Sequence, residues 1–145
     1  MLLALDTSTR RVGVALYDGI QVIHEMVWAS NFYHTVELAP AVALTLQHAR
    51  VGIDAVQALA VALGPGSFTS LRTGLALAKG IALARCLPIV GVPSLDFLAA
   101  SQPVNDLPMA AVLEAGRKRL AVGWYEAADG RWQPTGKLNC SLLPT

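Results

Sequence analysis

Residues 62–94 read ALGPGSFTSLRTGLALAKGIALARCLPIVGVPS. The apolar run that leads into this stretch, VQALAVAL at 56–63, lacks polar alternation and is too short for a helix, as expected of a strand buried on both faces of a parallel sheet. Gly64-Pro65-Gly66 breaks that run. The apolar residues that follow predict a helix over 68–86, capped by Ser67 or Thr69 and stopped before Pro88. PIVGV at 88–92 then supplies a second strand. Strand, crossover helix and strand make a parallel unit.

Upstream, LLALDT and VGVALYDG read as two strands of a hairpin, and IQVIHEMVWAS adds a third antiparallel strand. From 35 to 50, Leu38, Val42, Leu46 and Ala49 recur at helical spacing behind a Thr35 cap, with Pro40 in the first turns. The order β-β-β-α-β-α-β, hairpins first and crossovers after, predicts an α/β fold. Its mixed five-stranded sheet and helices match a ribonuclease-H-like lobe better than a Rossmann unit. SQPVNDLP at 101–108 is the linker signal. Strands at MAAVLEAG and RLAVGWYEA, with a turn at Asp129-Gly130, read as the start of a second, β-rich lobe. The expected domains are 1–101 and 108–145.

The 145 residues are 54% hydrophobic and 14% charged, with a formal charge of +1. That composition supports one packed core and excludes disorder as the main state. The scattered basic residues give no footprint for independent nucleic-acid binding, so any RNA contact is expected to be shared with another subunit. Two cysteines, Cys86 and Cys140, suit a reducing compartment rather than a disulfide framework. The opening MLLALDTSTRR lacks the basic region of a secretory signal, and Arg72, Lys79 and Arg85 interrupt the most apolar helix. A cytoplasmic protein without a membrane span is the expectation. The mean hydropathy of +0.48 then predicts surface that a second chain covers.

That surface is sought on the 68–86 helix. At about 100° per residue, Leu71, Leu75, Ala78 and Ala82 share the face expected against the sheet. Ser70, Thr73, Gly74, Leu77, Ile81 and Ala84 form a second, neighbouring face, while Arg72 and Lys79 mark the polar side. Gly74 and Gly80 each cost about 1 kcal/mol against alanine in a helix, which calls for a close approach by another element. The 35–50 helix of the same lobe is one candidate. A helix of another subunit is the other, supported by Leu44 on the polar side of the first helix. The expected partner-binding residues are Pro40, Leu44, Gln47, His48, Ser70, Thr73, Gly74, Leu77, Ile81 and Ala84.

The glycine loop is weighed as an anion site because a helix N-terminus presents free N–H groups. GPGSFTS lacks the Gly-Lys-Ser/Thr of a Walker loop, and Lys79 lies about three turns into the helix. A structural turn is the alternative. Asp6, Thr7 and Ser8, with Gly64, Gly66 and Ser67, could form a vestigial phosphate loop or could cap the hairpin turn. No catalytic or metal residues are expected: His24, His34 and His48 have no ligand-like spacing, no two carboxylates form a local pair, and Ser67 lacks a nucleophile-elbow frame. The tryptophans at 28, 124 and 132 are read as core.

LALDTSTRRVGVALYDG, HTVELAP, ALGPGSFTSLRTGLALAKGIA and PIVGVPSLDFLA occur in that order, and with them the chain resembles the bacterial TsaB family, within the actin-like ATPase superfamily. The resemblance covers roughly residues 2–100. It implies a two-lobed fold and a non-catalytic partner of a TsaD-like transferase that makes N6-threonylcarbamoyladenosine in tRNA. It implies docking through a bundle of the first two helices, a homodimer when the partner is missing, a TsaE-like ATPase in the complex, and no cofactor, ATP entering only with the partners. The catalytic relative carries a His-x-x-x-His metal pair; here His34 is followed by Leu38, which removes one ligand. EAGRKRLAVGWY departs from the family pattern, keeping Arg117 but placing Ala115 and Leu120 at acidic positions. Two other readings stay open. One is an ATP-dependent small phosphotransferase using Asp6; the other is a metalloprotease.

Overall fold

The computed structural model describes residues 1–30, 34–116, 119–136 and 139–142. Strands β1 (Leu2–Asp6), β2 (Arg11–Tyr17) and β3 (Val22–Ala29) form the antiparallel side of one sheet, and β4 (Ala58–Gly64) and β5 (Ile89–Pro93) run parallel to β1, in the order β3-β2-β1-β4-β5. Helix α1 (His34–His48) links β3 to β4, and α2 (Phe68–Arg85) links β4 to β5. This is the mixed sheet that the strand and helix pattern predicted.

Register explains the core. Leu3 pairs with Leu16 and Leu59, and Leu5 with Val14 and Val61, so the large residues of the three central strands share a face. With Val12 they are fully or nearly fully buried, together with Leu38, Ala41, Val42 and Leu46 of α1 and Ala78 and Ala82 of α2. Each buried leucine or valine among them contributes about 1.5–3 kcal/mol on burial, and each alanine less. On β4, Leu59 to Ala62 are buried consecutively, as a strand covered on both faces requires. The expected Thr35 cap is displaced, because α1 already begins at His34. Ser67 occupies the N-cap position of α2 but makes no side-chain capping bond, and Thr69 lies inside the helix.

A second sheet comprises β6 (Met109–Glu114), β7 (Arg119–Ala128), β8 (Arg131–Pro134) and β9 (Asn139–Leu142). The ten-residue β7 takes β6 along one edge and β8 and β9 end to end along the other. Asp129 and Gly130 both have positive φ, the conformation of the predicted tight hairpin turn. β9 was not foreseen, since NCSL is four residues long and has no β-branched or aromatic residue. Helix α3 (Ser94–Ala100) changes the expected division. It precedes the predicted linker, yet Leu95 and Ala99 are buried in the second core with Ala111, Leu113, Ala121 and Tyr125. The second sheet therefore has a helix on one face. Trp124 corrects another expectation, being half exposed on the opposite face.

Tyr125 Oη donates to Asp96 Oδ1 at 2.6 Å and fastens α3 to β7. Burial, then the adjacent carboxylate, push the phenol's pKa well above the ordinary tyrosine value. Above pH about 10 the unfolded chain loses this proton first, so the folded state loses stability as pH climbs past that value, while below it the contribution is complete. Urea midpoints measured from pH 8 to 11 are expected to fall in the wild type. In Tyr125→Phe that part of the decline is expected to be missing.

Candidate functional site

Of the six candidate phosphate-loop residues, Thr7 and Ser8 come against the loop of Gly66 and Ser67. The β1–β2 turn and the β4–α2 loop touch at the end of the parallel strands, where Ser67 N–H donates to the Ser8 carbonyl at 2.7 Å and Thr7 Oγ1 donates to the Ser70 carbonyl at 2.8 Å. Ser70 Oγ donates to Ser67 Oγ at 2.9 Å. Gly66 is required here: a Cβ at 66 would press on the Ser8 carbonyl oxygen, with the Ser8 carbonyl carbon and Cα at 2.9 Å. The Ser67 N–H that could have met an anion at the start of α2 is thus spent on the protein's own backbone. Asp6 Oδ1 accepts from Ser8 N–H at 2.8 Å, a local turn cap.

A cavity of ≈ 490 Å³ opens beside this junction, lined by Ser8, Thr9, Arg10, Arg11, Ser30, Ser67, Ser70, Leu113, Glu114 and Gly116. The Ser8 and Ser30 hydroxyls are buried without a hydrogen-bond partner. Asp6, Thr7, Gly64 and Gly66 do not line it. Ser30 and Glu114, which reach the cavity from the end of β3 and from the second sheet, carry no local signal of such a site. Arg117 lies outside the described residues. Ser67 Oγ takes the hydroxyl of Ser70 as its partner, and among the described residues no group of three His, Cys, Asp or Glu could hold a metal.

The second candidate site is the outer side of α1 and α2. Pro40, Leu44, Gln47 and His48 are exposed on α1, with Leu44 at 43%. On α2, Ala84 is exposed, while Thr73, Leu77 and Ile81 are half-buried, the last two against the edge of the core. Ser70 and Gly74 are corrected. The buried stripe of α2 is Ser70, Gly74, Ala78 and Ala82, turned from the predicted one so that Leu71 and Leu75 fall on its border. Gly74 allows close approach, but the element that approaches is Thr7: a Cβ at 74 would collide with its hydroxyl and stand 3.2 Å from its methyl carbon. These two positions serve the lobe's own packing. A longer apolar exposure went unnoticed, Phe68 at 73% beneath the Arg72 guanidinium and Leu83 at 84%.

His48 has a partner that spacing concealed. Its Nδ1 lies 3.2 Å from His24 Nε2, joining the C-terminal end of α1 to edge strand β3.

A family model described as "TsaD: tRNA N6-adenosine threonylcarbamoyltransferase" matches residues 29–137. The chain is 34% identical over 129 residues to the tRNA threonylcarbamoyladenosine biosynthesis protein TsaB of Bacillus subtilis, covering 89% of this chain and 56% of that protein. It belongs to the TsaB branch of this family. The Escherichia coli TsaB protein is 37% identical over 99 residues, covering 68% of this chain and 42% of its own length. Our TsaB-family chain thus spans about half the length of these relatives. YeaZ from Pseudomonas aeruginosa superimposes with a TM-score of 0.86 at 31% identity, over 96% of this chain and 66% of that one. A ROK hexokinase from Thermus thermophilus, at TM-score 0.52 and 15% identity, shares the fold alone, the actin-like, ribonuclease-H-like type that the TsaB sequence pattern predicted.

Proposed function

We propose that this TsaB-family chain is a non-catalytic subunit of the machinery that forms N6-threonylcarbamoyladenosine in tRNA, docking a TsaD-like transferase through the α1–α2 face. The observation that carries the reading is the half-covered state of Leu77 and Ile81 on α2 together with exposed Leu44 on α1, apolar surface that the lobe does not close over itself. In isolation the same face joins two copies. A TsaE-like ATPase reaches the chain through the complex, and tRNA touches it only indirectly. No described helix is long and apolar enough to cross a membrane, and the reading places the chain in the cytoplasm. Sedimentation with and without a TsaD homologue tests the proposal.

The ≈ 490 Å³ cavity favours a second reading, an ATP-dependent phosphotransferase, because two orphaned hydroxyls and two arginines line it. The consumed Ser67 N–H and the turn-capping Asp6 weigh against it. Calorimetry with Mg-ATP on the purified chain is expected to give no appreciable heat. Micromolar binding that Asp6→Ala removes would establish the phosphotransferase instead.

A further inference from the structure

The geometry points to a transition-metal chelate formed by His24 and His48. The pair lies at the C-terminal end of α1, where His48 is also one of the expected docking residues, and its test on the chain alone is read separately from docking. The two rings stand with centroids 5.1 Å apart and planes inclined at 51°, and His24 Nε2 and His48 Nδ1 face each other at 3.2 Å. Imidazole nitrogens bind zinc at about 2.0–2.1 Å, so two nitrogens at this separation subtend about 100° at a shared ion, close to the tetrahedral angle. A small turn of the exposed His48 ring toward the half-buried His24 replaces the single shared proton by the metal.

The backbone holds the pair in place. His24 sits opposite Leu16 on β3, on the face that packs against α1, and His48 ends that helix. Imidazole selects zinc, nickel and copper dications over magnesium and calcium, which prefer oxygen ligands. His24 Nδ1 is buried without a partner, so it lacks the acceptor that usually steadies a ligating ring. No third ligand joins the pair among the described residues. The chelate is therefore bidentate and exchangeable, with water in its open positions, rather than a closed structural site.

The full 145-residue chain is titrated with zinc chloride, and separately with nickel chloride, in a non-coordinating buffer, following heat and thermal midpoint. One equivalent is expected to bind and raise the midpoint, EDTA to reverse both, and magnesium chloride to do neither. His48→Gln, at an exposed position, and His24→Gln are each expected to abolish the effect, whereas His34→Gln and Cys86→Ser retain it. Absence of binding at millimolar zinc or nickel overturns the inference. So does equal binding by wild type and His48→Gln, which would place the ion elsewhere on the chain.

Discussion

Gly66→Ala is expected to cost about 2–4 kcal/mol, the sum of a backbone collision and a broken hydrogen bond at the junction of two loops. The added Cβ has nowhere to go. It meets the Ser8 carbonyl oxygen, carbon and Cα, which belong to main chain rather than to a flexible side chain, so relief requires the β1–β2 turn and the start of α2 to separate. Separation lengthens the Ser67 N–H to Ser8 carbonyl bond and pulls the Ser70 carbonyl from Thr7 Oγ1, whose residue is fully buried. A loss of this size corresponds to a fall in thermal midpoint of about 5–15 °C in a domain of this length. Thermal denaturation followed by circular dichroism measures it. A midpoint within a degree of wild type would show that the two loops do not depend on each other.

Leu44→Glu is the second large effect, and it acts on association rather than folding. Leu44 lies outside the core cluster and is already 43% exposed, so the fold is expected to survive with an unchanged far-ultraviolet spectrum. A buried anchor at an interface contributes about 2 kcal/mol or more, and an unpaired carboxylate placed there adds its desolvation. The variant is therefore expected to weaken binding to a TsaD homologue by about 30-fold or more. In a two-fold symmetric homodimer each substitution counts twice, which takes the dimer to monomer at micromolar concentration. Gly74 is unsuitable for the same purpose. Its lack of a side chain serves Thr7, and a charged group there would confuse misfolding with loss of docking.

Much of this was legible in the letters because the physical signals were local. Val56–Leu63 had no polar alternation and holds most of the interior strand β4, the Gly64-Pro65-Gly66 break fell where β4 turns into α2, and Leu38, Val42 and Leu46 marked the buried side of α1. The facing of α2 was harder to read, because small residues occupy most of its circumference and hydrophobicity alone cannot rank Gly74 against Leu75. Close approach decided it: the helix lies so near Thr7 that only glycine fits the contact. Long-range meetings were invisible for a different reason. His24 with His48, Asp96 with Tyr125, and Ser8 with Ser67 are each brought together by sheet order, not by spacing along the chain. The helix over the second sheet was hidden likewise, since α3 lies before the linker signal yet packs after it.

Sedimentation velocity of the wild-type chain, alone and mixed with a purified TsaD homologue, addresses the docking face most directly. A faster boundary containing both proteins, lost when Leu44→Glu replaces the wild type, is the predicted result. A chain that stays monomeric alone and sediments independently of the homologue at tens of micromolar would contradict it.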